Sequence, residues 1–116
     1  MAIIRISDLK LKAIIGTNAW ERTTRQTVVI NATFEYNSAK AEKSDDISDA
    51  VDYKSITKEI ITFVRVSRFY LLEALCARVL KIIMKNKAIK KAAVRIDKPK
   101  ALRFAKSVSL EHSAKR

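Results

Sequence analysis

The sequence is poor in the residues on which much enzyme chemistry relies. It has one glycine, Gly16, in 116 residues, so neither a phosphate-cradling P-loop nor a dinucleotide-binding glycine fingerprint can be built. It has one histidine, His112, and one cysteine, Cys76, which excludes the common His- and Cys-rich zinc sites. One cysteine also excludes an internal disulfide and fits a reducing, cytoplasmic setting. No apolar run reaches the roughly 18 residues of a membrane-spanning helix. The N-terminus, Met-Ala-Ile-Ile-Arg-Ile, meets a charge too early to read as a signal peptide. Whatever catalysis the chain performs must run on Glu, Lys, Tyr and backbone groups.

What it has in excess is positive charge. Twenty-four Lys and Arg against twelve Asp and Glu give a net charge of +12, which favours an anionic partner: nucleic acid, a membrane surface or a phosphorylated small molecule. On charge alone nucleic acid ranks first. The apolar share of 48% and the charged share of 31% are those of an ordinary folded chain. The length predicts a single domain over residues 1–116, able to bury roughly two thirds of its unfolded surface.

Hydrophobic periodicity sets the order of elements. Residues 3–15 read as a strand with a weak point at Ser7-Asp8; Leu9, Leu11, Ala13 and Ile15 share one face, and Lys10 and Lys12 the other. Gly16-Thr17-Asn18 breaks the pattern, and Ala19 to Arg22 reads as loop. Residues 27–37 form a second strand, with Val28, Ile30, Ala32, Phe34 and Tyr36 on its apolar face. The polar stretch 38–52 holds aspartates at 45, 46, 49 and 52. Without a turn glycine and a closing bidentate Glu it is no EF-hand; turns and helix caps account for it. Two amphipathic helices follow, over 53–68 and 70–85, with stripes Ile56, Ile60, Phe63/Val64 and Leu72, Leu75, Cys76, Val79, Ile83. Strands over 92–98 and 107–113 close the chain. The order ββααββ predicts an α+β fold, one antiparallel sheet with two helices on one face.

The last hairpin, "VRIDKPKALRFAKSVS", concentrates five basic residues. Val94, Ile96 and Lys98 share parity, so Lys98 ends an apolar face just before the rigid Pro99. A lysine so placed either snorkels to water or sits over a pocket, and the pattern alone favours snorkelling. The opposite sheet face, with Lys10, Lys12, Thr27, Asn31, Thr33 and Glu35, is too polar for a core. It is either a wet face or the lining of a barrel closed by several subunits.

Three stretches, "YKSITKEII", "RFYLLEALCARVL" and "IDKPKALRFAKSVS", resemble the dihydroneopterin aldolase / dihydroneopterin triphosphate 2'-epimerase family, over nearly the whole chain. "RFYLLE" and "DKPKALRFAKSVS" lean toward the epimerase branch; the Trp-Glu pair of "NAWERTTRQ" leans toward the aldolase. The resemblance implies the tunnelling fold, in which ββααββ subunits close into a tetrameric β-barrel ring and two rings stack as an octamer, with active sites between subunits. It implies 7,8-dihydroneopterin or its triphosphate as substrate, folate-type pterin chemistry and no cofactor. Glu73 would anchor the pterin ring beside Leu72, Tyr53 would be lent by a neighbouring subunit, and Glu21 and Lys98 would face the substrate's side chain. A dihydropterin already contains an imine that accepts the electrons of a retro-aldol cleavage, so a Schiff-base lysine or zinc is not needed.

Each assignment has a plainer rival. Taken without the resemblance, Glu73 is a solvated first-turn residue favoured by the helix dipole, Tyr53 a helix-start aromatic and Glu21 a surface loop residue. Lys100, Arg103 and Lys106 could hold a triphosphate or be surface charge. The competing class, a nucleic-acid-binding module, needs stacking aromatics on the exposed sheet face or a glycine-rich clamp. Phe34 and Tyr36 lie on the apolar face and one glycine makes no clamp. The sequence therefore predicts no specific nucleic-acid partner and no membrane partner.

Overall fold

The computed structural model describes residues 1–116. Long alternating segments form the sheet. Strand β1 (Ala2–Ile15) pairs antiparallel with β2 (Gln26–Tyr36), β2 with β4 (Ile89–Pro99), and β4 with β5 (Ser107–Lys115). A two-residue strand, β3 (Arg68–Phe69), adds in parallel to Ile14 and Ile15, giving the order β3-β1-β2-β4-β5. The expected α+β architecture is present, with the sheet extended by β3.

The register puts the apolar parity of every long strand on one side. Ala13, Ile15, Val28, Ile30, Ala32, Phe34, Ala92, Val94 and Ile96 are all buried. Helix α2 (Tyr53–Val66) and helix α3 (Leu72–Met84) cover them with Ile56, Ile60, Val64, Leu75, Cys76, Val79 and Ile83. The other face carries exposed Lys10, Lys12 and Thr27 and half-buried Asn31, Thr33 and Glu35, as alternation dictates. No helix is long and apolar enough to cross a membrane.

Local chemistry sets the boundaries. The weak point at Ser7-Asp8 is a bulge: the β1–β2 register shifts between Ile6 and Leu9, Asp8 takes a left-handed φ of 54°, and its N–H donates to Asn31 Oδ1 at 3.0 Å. In the polar connection Asp52 caps α2 by accepting from the Ser55 N–H at 3.1 Å, and Asp46 accepts from the Ser48 N–H at 2.9 Å. That connection also holds a short helix, α1 (Ala39–Ser44), and a 3-10 turn, Ile47–Asp49; neither was expected. Helix α2 stops two residues earlier than its periodicity suggests. Ser67 turns extended, and the next two residues are drawn into pairing with β1. The outer edge of β5, and most of that of β1, have no partner within the chain.

Candidate active site

Gly16 ends β1 with a φ of +133°, a backbone setting that side chains rarely adopt. The following turn, a 3-10 helix over Ala19–Arg22, folds back so that the Glu21 carboxylate fills the space a glycine leaves open. A Cβ at position 16 would lie 2.2 Å from Glu21 Cδ. Glu21 is only 5% exposed, which excludes the plainer reading of a surface loop residue.

A buried carboxylate needs partners, and this one has four. Oε1 accepts from the Asn18 N–H at 3.1 Å and from Asn18 Nδ2 at 3.0 Å; Oε2 accepts from Gln26 Nε2 at 2.9 Å and Lys98 Nζ at 2.5 Å. Burial alone would raise the Glu21 pKa. The hydrogen bonds from Lys98, Gln26 and Asn18 and the Lys98 charge outweigh it, and the carboxyl is held at about 2. Glu21 is thus a fixed anion, suited to orienting an ammonium group rather than to accepting protons near neutrality.

Lys98 overturns the snorkelling expectation. Its side chain is 12% exposed and turned inward onto Glu21, because the parity of β4 aims it at the helix-covered side, where a buried carboxylate waits. Gln26, the first residue of β2, braces the pair by also donating to the Ile15 carbonyl at 2.7 Å. Gly16, Asn18 and Gln26 were not assigned to the site from the sequence; the cue was the lone glycine at a strand end, five residues before a glutamate.

Arg22 ties this turn to the start of α3. It donates to the carbonyls of Gly16 and Phe69, each at 3.0 Å, and to that of Arg68 at 2.6 Å. Its guanidinium lies 3.8 Å from the centroid of the Tyr70 ring. Three residues beyond Tyr70 comes Glu73, in the first turn of α3. Glu73 is exposed and forms no hydrogen bond or ion pair within the chain. It borders a hollow of about 240 Å³ with Ala77, Leu110, Glu111 and His112. Lys98 stands opposite Val108, and Ile96 opposite Leu110, so the two half-sites are offset along the β4–β5 ladder by two residues, about 7 Å. Leu72, half-buried at the first position of α3, packs against the core beside them.

Tyr53 is not part of this cluster. The C-terminal end of α2 meets β3 through the Phe63 and Phe69 rings, 6.0 Å apart between centroids, whereas Tyr53 starts the helix, about 20 Å from its last residue along the axis. Its side chain is 50% exposed. Lys100 and Arg103 lie on the exposed β4–β5 connection. Lys100 has a φ of 64°, and the Arg103 guanidinium lies 5.7 Å from the ring centroid of the fully exposed Phe104. Cys76 is buried beneath α3 and donates to the Val94 carbonyl at 3.2 Å; burial pushes its thiol up to about 11, which makes it inert.

The family model for dihydroneopterin aldolase matches residues 4–113. A dihydroneopterin triphosphate 2'-epimerase of Pseudomonas aeruginosa is 46% identical over 110 residues, 95% of this chain and 89% of its own. An epimerase of the same description from Escherichia coli is 46% identical over 99% of this chain and 96% of its own. A dihydroneopterin aldolase of Escherichia coli is 28% identical over 95% of this chain and 90% of its own. The crystal structure of Escherichia coli dihydroneopterin aldolase in complex with neopterin superposes with a TM-score of 0.93 at 27% identity, over 98% of this chain and 99% of that one. With the family model covering nearly its whole length, this chain belongs to the dihydroneopterin aldolase family.

Proposed function

We propose that this protein carries out retro-aldol and aldol chemistry on the side chain of a 7,8-dihydropterin, with dihydroneopterin triphosphate as substrate and inversion at C2' as the net reaction. The observation that carries the proposal is the buried Glu21–Lys98 pair beside the open Glu73 turn. The epimerase relatives at 46% identity support the choice of branch.

In this reading Glu73 accepts from the pterin's 2-amino group and adjacent ring N–H, a planar donor pair matched by two carboxylate oxygens. The 2'-hydroxyl loses its proton, the C1'–C2' bond breaks, and its electron pair forms C1'=C6 while N5 takes a proton. Lys98, held as an ammonium by Glu21, gives the proton to N5 and in becoming neutral takes up the proton that the 2'-hydroxyl loses, so that the protons balance. The substrate's own N5=C6 imine receives the electrons, so no cofactor is required. The released aldehyde turns, re-adds to C1' through its other face and leaves C2' inverted. Borohydride treatment during turnover is expected to give no adduct on Lys98; a trapped adduct would replace this scheme with a Schiff base.

The phenol completing the site, able to relay a proton to or from an enol or hydroxyl, is Tyr53 of a neighbouring subunit. The position of this residue at the start of α2, about 20 Å from the end of the helix that meets β3, supports that role. The unpartnered edges of β1 and β5 support closure of four subunits into a ring, stacked as an octamer. A cytoplasmic location fits the free, buried Cys76.

The second reading is a folate-pathway aldolase that releases glycolaldehyde and 6-hydroxymethyl-7,8-dihydropterin. It is favoured by the Trp20-Glu21 pair and by the close superposition on the Escherichia coli aldolase. Incubation with 7,8-dihydroneopterin and, separately, its 3'-triphosphate, followed by chromatography, decides between them. Inverted triphosphate as the main product is expected; glycolaldehyde from the free alcohol as the main product would make the protein an aldolase. Neither product from an intact oligomer would overturn both.

A further inference from the structure

Two hollows that share residues lie along β1, one on the polar face of the sheet and one reaching round its free edge to the end of α2. One, of about 530 Å³, is bordered by Trp20, Gln26, Pro99 and Lys100 as well as Lys10 and Thr27. The other, of about 480 Å³, is bordered by Leu11, Lys12, Arg25 and Arg65 and again by Lys10 and Thr27. They therefore run together along the β1–β2 ladder as one trough. Five cationic side chains border it and no acidic residue does. None of the five takes part in an ion pair within the chain, whose three ion pairs lie elsewhere.

The trough also has a fixed element and a direction. Arg25 donates from Nη1 to the Lys12 carbonyl at 3.0 Å and from Nη2 to the Arg65 carbonyl at 2.7 Å, which anchors its charge at the far end. The near end begins at Gln26, whose amide touches Glu21, and at Pro99 and Lys100, the residues after Lys98. Lys10 and Lys12 lie two residues apart on the exposed face of β1, about 7 Å, near enough for one oligophosphate chain to meet both. A nucleic-acid groove would need a series of stacking rings, and the trough has one aromatic, Trp20, at its near end.

We infer that this trough is an oligophosphate-binding site, with Lys10 and Lys12 as its principal ligands and Arg25 and Arg65 at its far end. Its assignment to the tail of the substrate rests on the function proposed above: the 3'-triphosphate passes over the sheet rim beside Gln26 and lies along β1, leaving Arg103 on its solvent-exposed loop. Lys100, at the mouth, is shared between the reacting end and the tail.

Calorimetric titration with inorganic tripolyphosphate tests the site apart from any turnover. The double variant Lys10→Ala/Lys12→Ala changes two exposed side chains that make no hydrogen bond within the chain. It is compared with Lys87→Ala/Lys90→Ala, which removes the same charge outside the trough. The expected result is binding by the unmodified oligomer, weakened about tenfold or more by the first pair and less than about twofold by the second. Equal weakening by both pairs, or no binding at all, overturns the site. The KM for dihydroneopterin triphosphate is expected to rise about tenfold in the Lys10/Lys12 variant. Tripolyphosphate binding that depends on Lys10 and Lys12, in a protein that does not turn over the triphosphate, would keep the site and discard the proposed reaction. Turnover with an unchanged KM would do the reverse.

Discussion

The two carboxylates of the candidate site are opposites. Glu21 is buried, accepts four hydrogen bonds and has every neighbour fixed by the chain itself: Gly16 leaves the room, Asn18 and Gln26 hold the oxygens, and Lys98 supplies the countercharge. Glu73 stands exposed at a helix start and has no partner within the chain. The contrast separates what a site must have ready from what it leaves for its ligand. In the proposed reaction, the charge that organises proton transfer is set before substrate arrives, whereas the carboxylate that would recognise the ring keeps its lone pairs free.

The largest effect is expected where the prepared half is broken. Lys98→Ala should lower kcat about a thousandfold, with a stability loss on the order of 3 kcal/mol from the Glu21 charge left without its cation; single-turnover kinetics and a denaturant titration measure the two. Gly16→Ala attacks the same half without touching a polar group. The added methyl meets Glu21 at 2.2 Å on a backbone of positive φ, so the carboxylate must move, and a displacement of about 1 Å is expected to cost roughly a hundredfold in kcat. If Gly16→Ala were fully active, the glycine's place in the seat would be refuted.

Breaking the open half should look different. Glu73→Ala removes a side chain with no internal partner, so the melting temperature should stay put. The KM for the pterin should rise about thirtyfold, corresponding to about 2 kcal/mol for a hydrogen-bonded charge. A loss confined to kcat would place Glu73 among the reacting groups instead of at the ring.

The prepared half also leaves a mark on the pH dependence of stability. The Glu21 carboxyl is held at about 2 against an ordinary 4.5, so the folded state binds this proton less readily than the unfolded chain. Its contribution is complete above about pH 4.5 and is lost as the pH falls toward about 2. Acid denaturation of Glu21→Gln should therefore be less steep across that interval; an unchanged slope would mean that Glu21 is not the anion described.

Much of the scaffold was legible because it obeys simple periods. Val28 to Phe34 alternate into the core, Ile56, Ile60 and Val64 recur at helical spacing, and even the irregularity at Ser7-Asp8 shows as a bulge. Glu73 and Lys98 could be picked out by resemblance and by parity. The seat of Glu21 could not, because burial of a glutamate in a polar turn depends on a glycine five residues away and on a glutamine at the start of the next strand. Nor could β3, whose two residues become a strand only because Ile14 and Ile15 offer them an edge. By pattern alone Lys98 read as a snorkelling side chain, because its partner Glu21 is distant in sequence; the resemblance was what placed it in the site.

The central claim is that one chain completes the Glu21–Lys98 half and a neighbour supplies Tyr53. It is tested most directly by mixing two inactive variants, Lys98→Ala and Tyr53→Phe, under conditions that let subunits exchange. If sites are shared between subunits, random reassembly leaves about a quarter of them with both groups intact, and activity on the pterin should return to about that fraction. Mixtures that stay as inactive as either parent, although exchange is complete, would contradict the account.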